Sequence, residues 1–346
     1  MGDAESPHGM AENRDGDVSA VAAATTVGAL AGPPGRARRS WLATGLKLSI
    51  GFGLLAYLIL SGRLRVSAFS NVRLGWEVAA MAALVVGALF LPCIRWQVLL
   101  RYQGIEVPFG RAVKLTWIGY FFGLVLPGAV SGDLVRGYYI VKDSPRARAK
   151  AASTIIVDRG LGLYSLFFIG LMPALVLHGR GQVTGVVRGM TLVTLALALG
   201  LTAGLALLCH PTSRRWCLRL LPSRVGDQIG SILSDYCSRP VGLAACFAIS
   251  LGANLLNVLA FIPAALALGE RLSALSVLLA GPLIILANSL PISPGGLGVG
   301  ESTSHALLDS FGFAYGAEVM LLLRAAILAS ALPGAALYAV HAGRGR

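Results

Sequence analysis

Arg159 and Arg324 are the residues whose type and position most invite chemistry. Each stands within a long apolar stretch, about 155–177 and 316–340, and they lie 165 residues apart. A guanidinium toward the centre of a membrane span costs at least about 2.5 kcal/mol on insertion scales, so it is expected to pair or to line a wet path. Its planar fork suits bidentate contact with a phosphate, which makes an anionic headgroup a natural ligand. The competing reading is an arginine near a helix end whose charged tip reaches the interface. That alternative weighs more on Arg159, only a few residues into its stretch, than on Arg324. Asp158 precedes Arg159, but neighbouring helix residues point about 100° apart, so the two need not pair.

Two breaks extend the candidate set. Leu126-Pro127-Gly128 leads to Gly132-Asp133, and Leu290-Pro291 leads through Pro294-Gly295-Gly296-Leu297-Gly298 to Gly300-Glu301. Proline and glycine release backbone groups that lipid cannot satisfy, so each break belongs in protein or against a wet cavity. Short helices are expected after Gly132, through Asp133 and Arg136, and after Gly300, from Glu301. Helix starts attract anions. Gly132, Asp133, Arg136, Gly295, Gly296, Gly298 and Glu301 therefore join Arg159 and Arg324 as candidate substrate-binding residues, and Asp158, beside Arg159, is added to them. Asp133 and Glu301 could equally cap their helices. The run Gly295–Gly300 lacks the GK[ST] ending and the GxGxxG spacing of nucleotide loops.

Glu301, His305 and Asp309 recur every fourth residue as a polar stripe. It reads as a proton-coupling or headgroup-contacting stripe, or, the favoured alternative, as the wet face of an interfacial helix. The five cysteines form no CxxC pair and have no histidine at ligand spacing, Cys209-His210 near Cys217 included. Reduced thiols are expected, with no metal and no cofactor.

These residues are set in an apolar frame. Of 346 residues 55% are hydrophobic and only 13% charged, with a mean hydropathy of +0.73. That excludes global disorder and argues against a soluble domain. The net charge of +13 does not imply nucleic acid, because basic residues would have to share a surface with long uncharged runs. Six full spans are expected at about 41–61, 75–94, 155–177, 189–209, 241–266 and 316–340. The stretches 111–130 and 275–294 read as re-entrant or broken. Residues 1–40 read as a disordered cytoplasmic tail before a membrane domain at 41–346. With the N-terminus inside, 20 of the 29 Lys and Arg fall in inside segments, 6 outside and 3 within spans. The positive-inside rule then places both termini in the cytoplasm, in the plasma (inner) membrane. The basic stretches 136–150 and 214–224 face anionic inner-leaflet lipids.

The chain also reads as two pseudo-repeats, about 41–180 and 186–342. Gly104 maps to Gly269, Leu126-Pro127 to Leu290-Pro291, Gly132 to Gly296 and Arg159 to Arg324. Three spans per half is odd, so the second half would be inverted, as in many secondary transporters. The expected fold is thus an all-α polytopic bundle with an inverted internal repeat.

Arg95-Trp96-Gln97, Gly119-Tyr120-Phe121-Phe122, Asp158-Arg159-Gly160 and Asn288-Ser289-Leu290-Pro291, with the breaks, Arg136, Glu301 and Arg324, resemble the membrane domain of lysylphosphatidylglycerol synthases. Stand-alone members are called flippase-like or UPF0104 membrane proteins. The resemblance spans about 45–340 and implies lipid translocation between leaflets. Full-length synthases carry an aminoacyl-transferase domain, and this chain stops at Arg346, so lysine transfer is not expected. Lipid translocation without enzymatic activity is the leading expectation. A transferase on a lipid-linked substrate and a non-catalytic subunit beside a lipid-synthesis enzyme are the alternatives. The transferase needs clustered carboxylates, and the candidates here divide between predicted faces.

Overall fold

Apolar runs longer than a bilayer is thick become helices, because only a helix satisfies its own backbone in lipid. The computed structural model describes residues 34–72, 74–125, 131–145, 147–179, 181, 185–210, 212, 223–290 and 292–343, and among them there are helices and no strands. In order they are α1 (Pro34–Leu60), a short 3-10 turn (Val66–Asn71), α2 (Trp76–Tyr102), α3 (Phe109–Val125), α4 (Ser131–Asp143), α5 (Arg148–Gly179) and α6 (Gly185–Cys209). Then come α7 (Ser223–Cys237), α8 (Pro240–Leu259), α9 (Phe261–Ala267), α10 (Ala274–Asn288), a second 3-10 turn (Pro294–Gly296), α11 (Val299–Asp309) and α12 (Gly316–Gly343). Two units divide the chain, Met1–Ser49 and Ile50–Arg346, and all that follows concerns the second.

Among the described residues, five helical segments are long and apolar enough to cross a membrane: Trp76–Tyr102, Arg148–Gly179, Gly185–Gly204, Pro240–Ala267 and Gly316–Val340. Within the expected 41–61 span, the apolar part is the shorter Leu48–Leu60. The stretches expected to break do stay short. α3 has 17 residues and α10 has 15, or roughly 22–26 Å at about 1.5 Å per residue, short of a core about 30 Å thick. Leu126–Val130 and Pro291, where the breaks were expected, lie outside the described residues, as do the tail 1–33 and most of the basic stretch 214–224.

Charge counting misplaced some helix ends. Arg95, just beyond the expected 75–94 span, is on α2 and buried. Arg148 and Lys150 belong to the first turn of α5. A charged side chain does not end a helix when a partner waits inside the protein.

Packing follows from small residues and buried aliphatics. α2 packs on α8, α3 on α4 and α12, α5 on α10, and α11 between α10 and α12. One core centres on Met81, Val85, Val258, Phe261, Ile284, Leu308 and Leu323. A second gathers Trp96, Leu100, Leu115 and Ile140. Met172, Leu192, Leu199 and Leu332 are exposed on long helices, as befits side chains whose solvent is lipid.

Gly132 sits at the start of α4 with its α-carbon against the Gly119 carbonyl and Gly123 of α3, so a Cβ there would collide with backbone. Gly132→Ala is therefore expected to push α3 and α4 apart at a cost of about 1–3 kcal/mol. A lowered thermal midpoint in detergent checks this, and an unchanged one refutes the close crossing.

Candidate functional site

The first half supplies five charged side chains from three helices. Asp158 on α5 is buried and accepts from Arg95 Nε at 2.7 Å through Oδ1 and from Arg136 Nη2 at 3.0 Å through Oδ2. Arg95 also donates to Ser250 Oγ of α8 at 2.6 Å. Arg136 on α4 lies over the Trp96 ring at 4.5 Å and reaches Asp133 Oδ1 at 3.3 Å. Asp133 in turn accepts from Arg159 Nε. Neighbours in sequence, Asp158 and Arg159 thus face different partners, as the helical angle requires. Three guanidinium groups against two carboxylates leave one positive charge in excess. The Arg136 Nε is buried and has no hydrogen-bond partner among the described residues.

The second half is built around one arginine. Arg324 on α12 donates through Nε to Glu301 Oε1 at 2.6 Å and through Nη1 to the Gly295 carbonyl at 2.5 Å. Its Nη2 reaches Asn288 Oδ1 at 3.0 Å, the Gly296 carbonyl at 3.1 Å and Glu301 Oε2 at 3.2 Å. Glu301 Oε2 also accepts the Gly298 backbone N–H at 2.7 Å, so the carboxylate caps α11. The loop can take this shape because Gly295, Gly296 and Gly298 have φ of 57°, 71° and 78°, a region that side chains with a Cβ avoid. Glu301 has no exposed surface, so it does not share a wet stripe with Asp309, which is exposed.

Between the two assemblies lies a cavity of about 340 Å³. Gly132, Asp133, Arg136 and Arg159 line it from the first half, and Gly295 and Gly296 from the second. Asp158, Glu301, Gly298 and Arg324 stand behind that wall and hold it. The two arginines matched in sequence therefore differ in setting: the Arg159 side chain is 51% exposed and that of Arg324 11%.

Several contributors fell outside the candidate set. Arg95 anchors Asp158, Asn288 anchors Arg324, and Tyr120 and Asn257 line the cavity. Their signal was present: Asn254 and Asn257 are amides inside an apolar run, and Arg95 follows one directly. Asn254 donates to the Gly162 carbonyl at 2.8 Å and Ser165 Oγ at 2.7 Å, tying α8 to α5. Among the described residues no group of three His, Cys, Asp or Glu could hold a metal ion.

The model of the lysylphosphatidylglycerol synthase TM region matches residues 18–334. The chain belongs to that family. Among curated proteins it is similar to a UPF0104 membrane protein of Pyrococcus horikoshii, 24% identical over 247 residues, which cover 63% of this chain and 72% of the relative. The matched region contains every charged residue of the two assemblies, from Arg95 to Arg324. In this family member the membrane helices therefore carry a buried, arginine-rich polar centre.

Proposed function

We propose that this chain moves a lipid with an anionic headgroup between the two leaflets. The observation that carries the reading is the cavity, whose walls come from both short-helix segments and include Arg136 and Arg159. One net positive charge beside a partnerless Arg136 Nε favours a phosphate group there over a neutral one. In this reading the chain has six full spans and two inverted halves. Gly104 and Gly269 both follow a helix end with φ of 71° and 81°, which supports the correspondence between the halves. The halves rock about the cavity while the acyl tails stay in lipid. Both termini face the cytoplasm at the plasma membrane, and anionic inner-leaflet lipids neutralise the basic segments. The chain acts without chemistry of its own: Asp133, Asp158 and Glu301 each hold arginines, an arrangement suited to positioning rather than to acid–base work.

Reconstitution into vesicles with headgroup-labelled phospholipids tests the proposal. The wild-type chain should accelerate leaflet exchange of an anionic phospholipid over empty vesicles. Arg159→Gln should slow that exchange on the order of tenfold or more, the worth of one charge-assisted hydrogen bond to phosphate. Exchange no faster than in empty vesicles, over several headgroups, would refute translocation.

A further inference from the structure

His305 and Asp309, left aside by the site above, line a second cavity of about 340 Å³. It lies between the last turns of α1 and the face of α11 that carries Ser302, His305, Ala306 and Asp309. Tyr57, Arg63 and Ser302 supply its remaining polar groups, and leucines of α1 form the apolar wall. The Arg63 guanidinium stacks on the Tyr57 ring at 5.5 Å. Neither Arg63 nor Asp309 enters an ion pair among the described residues. His305 Nδ1 and Ser302 Oγ are buried and have no hydrogen-bond partner there.

An unpaired cation and an unpaired anion thus share one cavity with two polar atoms that lack partners. A simple anion would satisfy Arg63 and be repelled by Asp309, and a simple cation would meet the reverse. A ligand carrying both charges suits both. We propose that this cavity is a second binding site, for a zwitterionic headgroup that joins a phosphodiester to a primary amine. Arg63 and the Ser302 hydroxyl donate to the phosphate oxygens, and Asp309 accepts from the ammonium. His305 Nδ1 accepts a second ammonium hydrogen in its acceptor tautomer. The primary amine matters because a quaternary one has no N–H to donate. The leucine wall suits the glycerol end, where acyl chains begin.

The same chemistry reaches the site from a membrane lipid or from a soluble glycerophosphodiester, and the test separates them. Binding of glycerophosphoethanolamine and of dihexanoyl phosphatidylethanolamine is measured on the full chain in detergent, with glycerophosphoglycerol as the probe without an amine. We expect saturable binding of an amine-bearing probe. Arg63→Gln should weaken it on the order of tenfold, and Asp309→Asn should do the same for the amine-bearing probes but not for glycerophosphoglycerol. Binding of the lipid probe alone assigns the site to membrane lipid, and binding of both assigns it to the headgroup itself. Both residues are exposed, so the variants should keep the wild-type elution volume and thermal midpoint. No saturable binding, or equal affinity in wild type and both variants, overturns the proposal. Leaflet exchange is not read in this experiment, so its outcome is independent of the translocation reading.

Discussion

Asp158→Ala should leave the protein unable to hold its first-half assembly. The substitution removes the one carboxylate that both Arg95 and Arg136 address, and those side chains are only 7% and 5% exposed. Arg95 would remain in a low-dielectric interior with no carboxylate partner, and Arg136 would keep only its 3.3 Å contact with Asp133. Removing one member of a buried ion pair costs about 3–5 kcal/mol, because the orphaned charge keeps its desolvation penalty. Here Arg95 is orphaned outright and Arg136 loses its shorter carboxylate contact, so the effect belongs within that range. α2, α4 and α5 meet at this carboxylate, and their mutual positions depend on it. The measurement is the thermal midpoint and elution profile in detergent, where a large fall and aggregation are expected. An unchanged midpoint would mean that the three helices are held by apolar packing alone.

Arg324→Gln should have a comparable effect by a different route. The arginine links α12 to the loop after α10 and to the start of α11 through five hydrogen bonds. Its loss leaves Glu301, which has no exposed surface, as an uncompensated charge. The cost is again about 3–5 kcal/mol. The double variant Arg324→Gln with Glu301→Gln removes the orphan charge, so part of the stability should return. Absence of any recovery would show that loop shape, and not charge, dominates the loss. Arg159→Gln offers the contrast. Its half-exposed pair with Asp133 is worth about 0–1 kcal/mol, so exchange should slow while the fold survives.

That contrast marks where sequence reading stops. Arg159 and Arg324 occupy matched positions after matched breaks, and composition alone makes them look equivalent. Burial separates them, and burial depends on which helix lies opposite. Arg324 enters a loop whose three positive-φ glycines turn carbonyls toward it, whereas Arg159 points into open cavity.

The sequence by itself determined the class of this protein: apolar runs of spanning length can only be helices in lipid. It also located the two short apolar helices, α3 and α10, because proline and glycine act locally. Its family membership was legible too, in Arg95-Trp96-Gln97, Asp158-Arg159-Gly160 and the second break. What only the tertiary structure decided was the pairing. Asp158 meets Arg95 from 63 residues away and Arg136 from 22, and Glu301 turns inward to Arg324 and not outward beside Asp309. Helical periodicity fixes the direction of a side chain about its own axis. It carries no information on which neighbour that direction meets, and in a bundle the neighbour settles whether a charge is a ligand site or a strut.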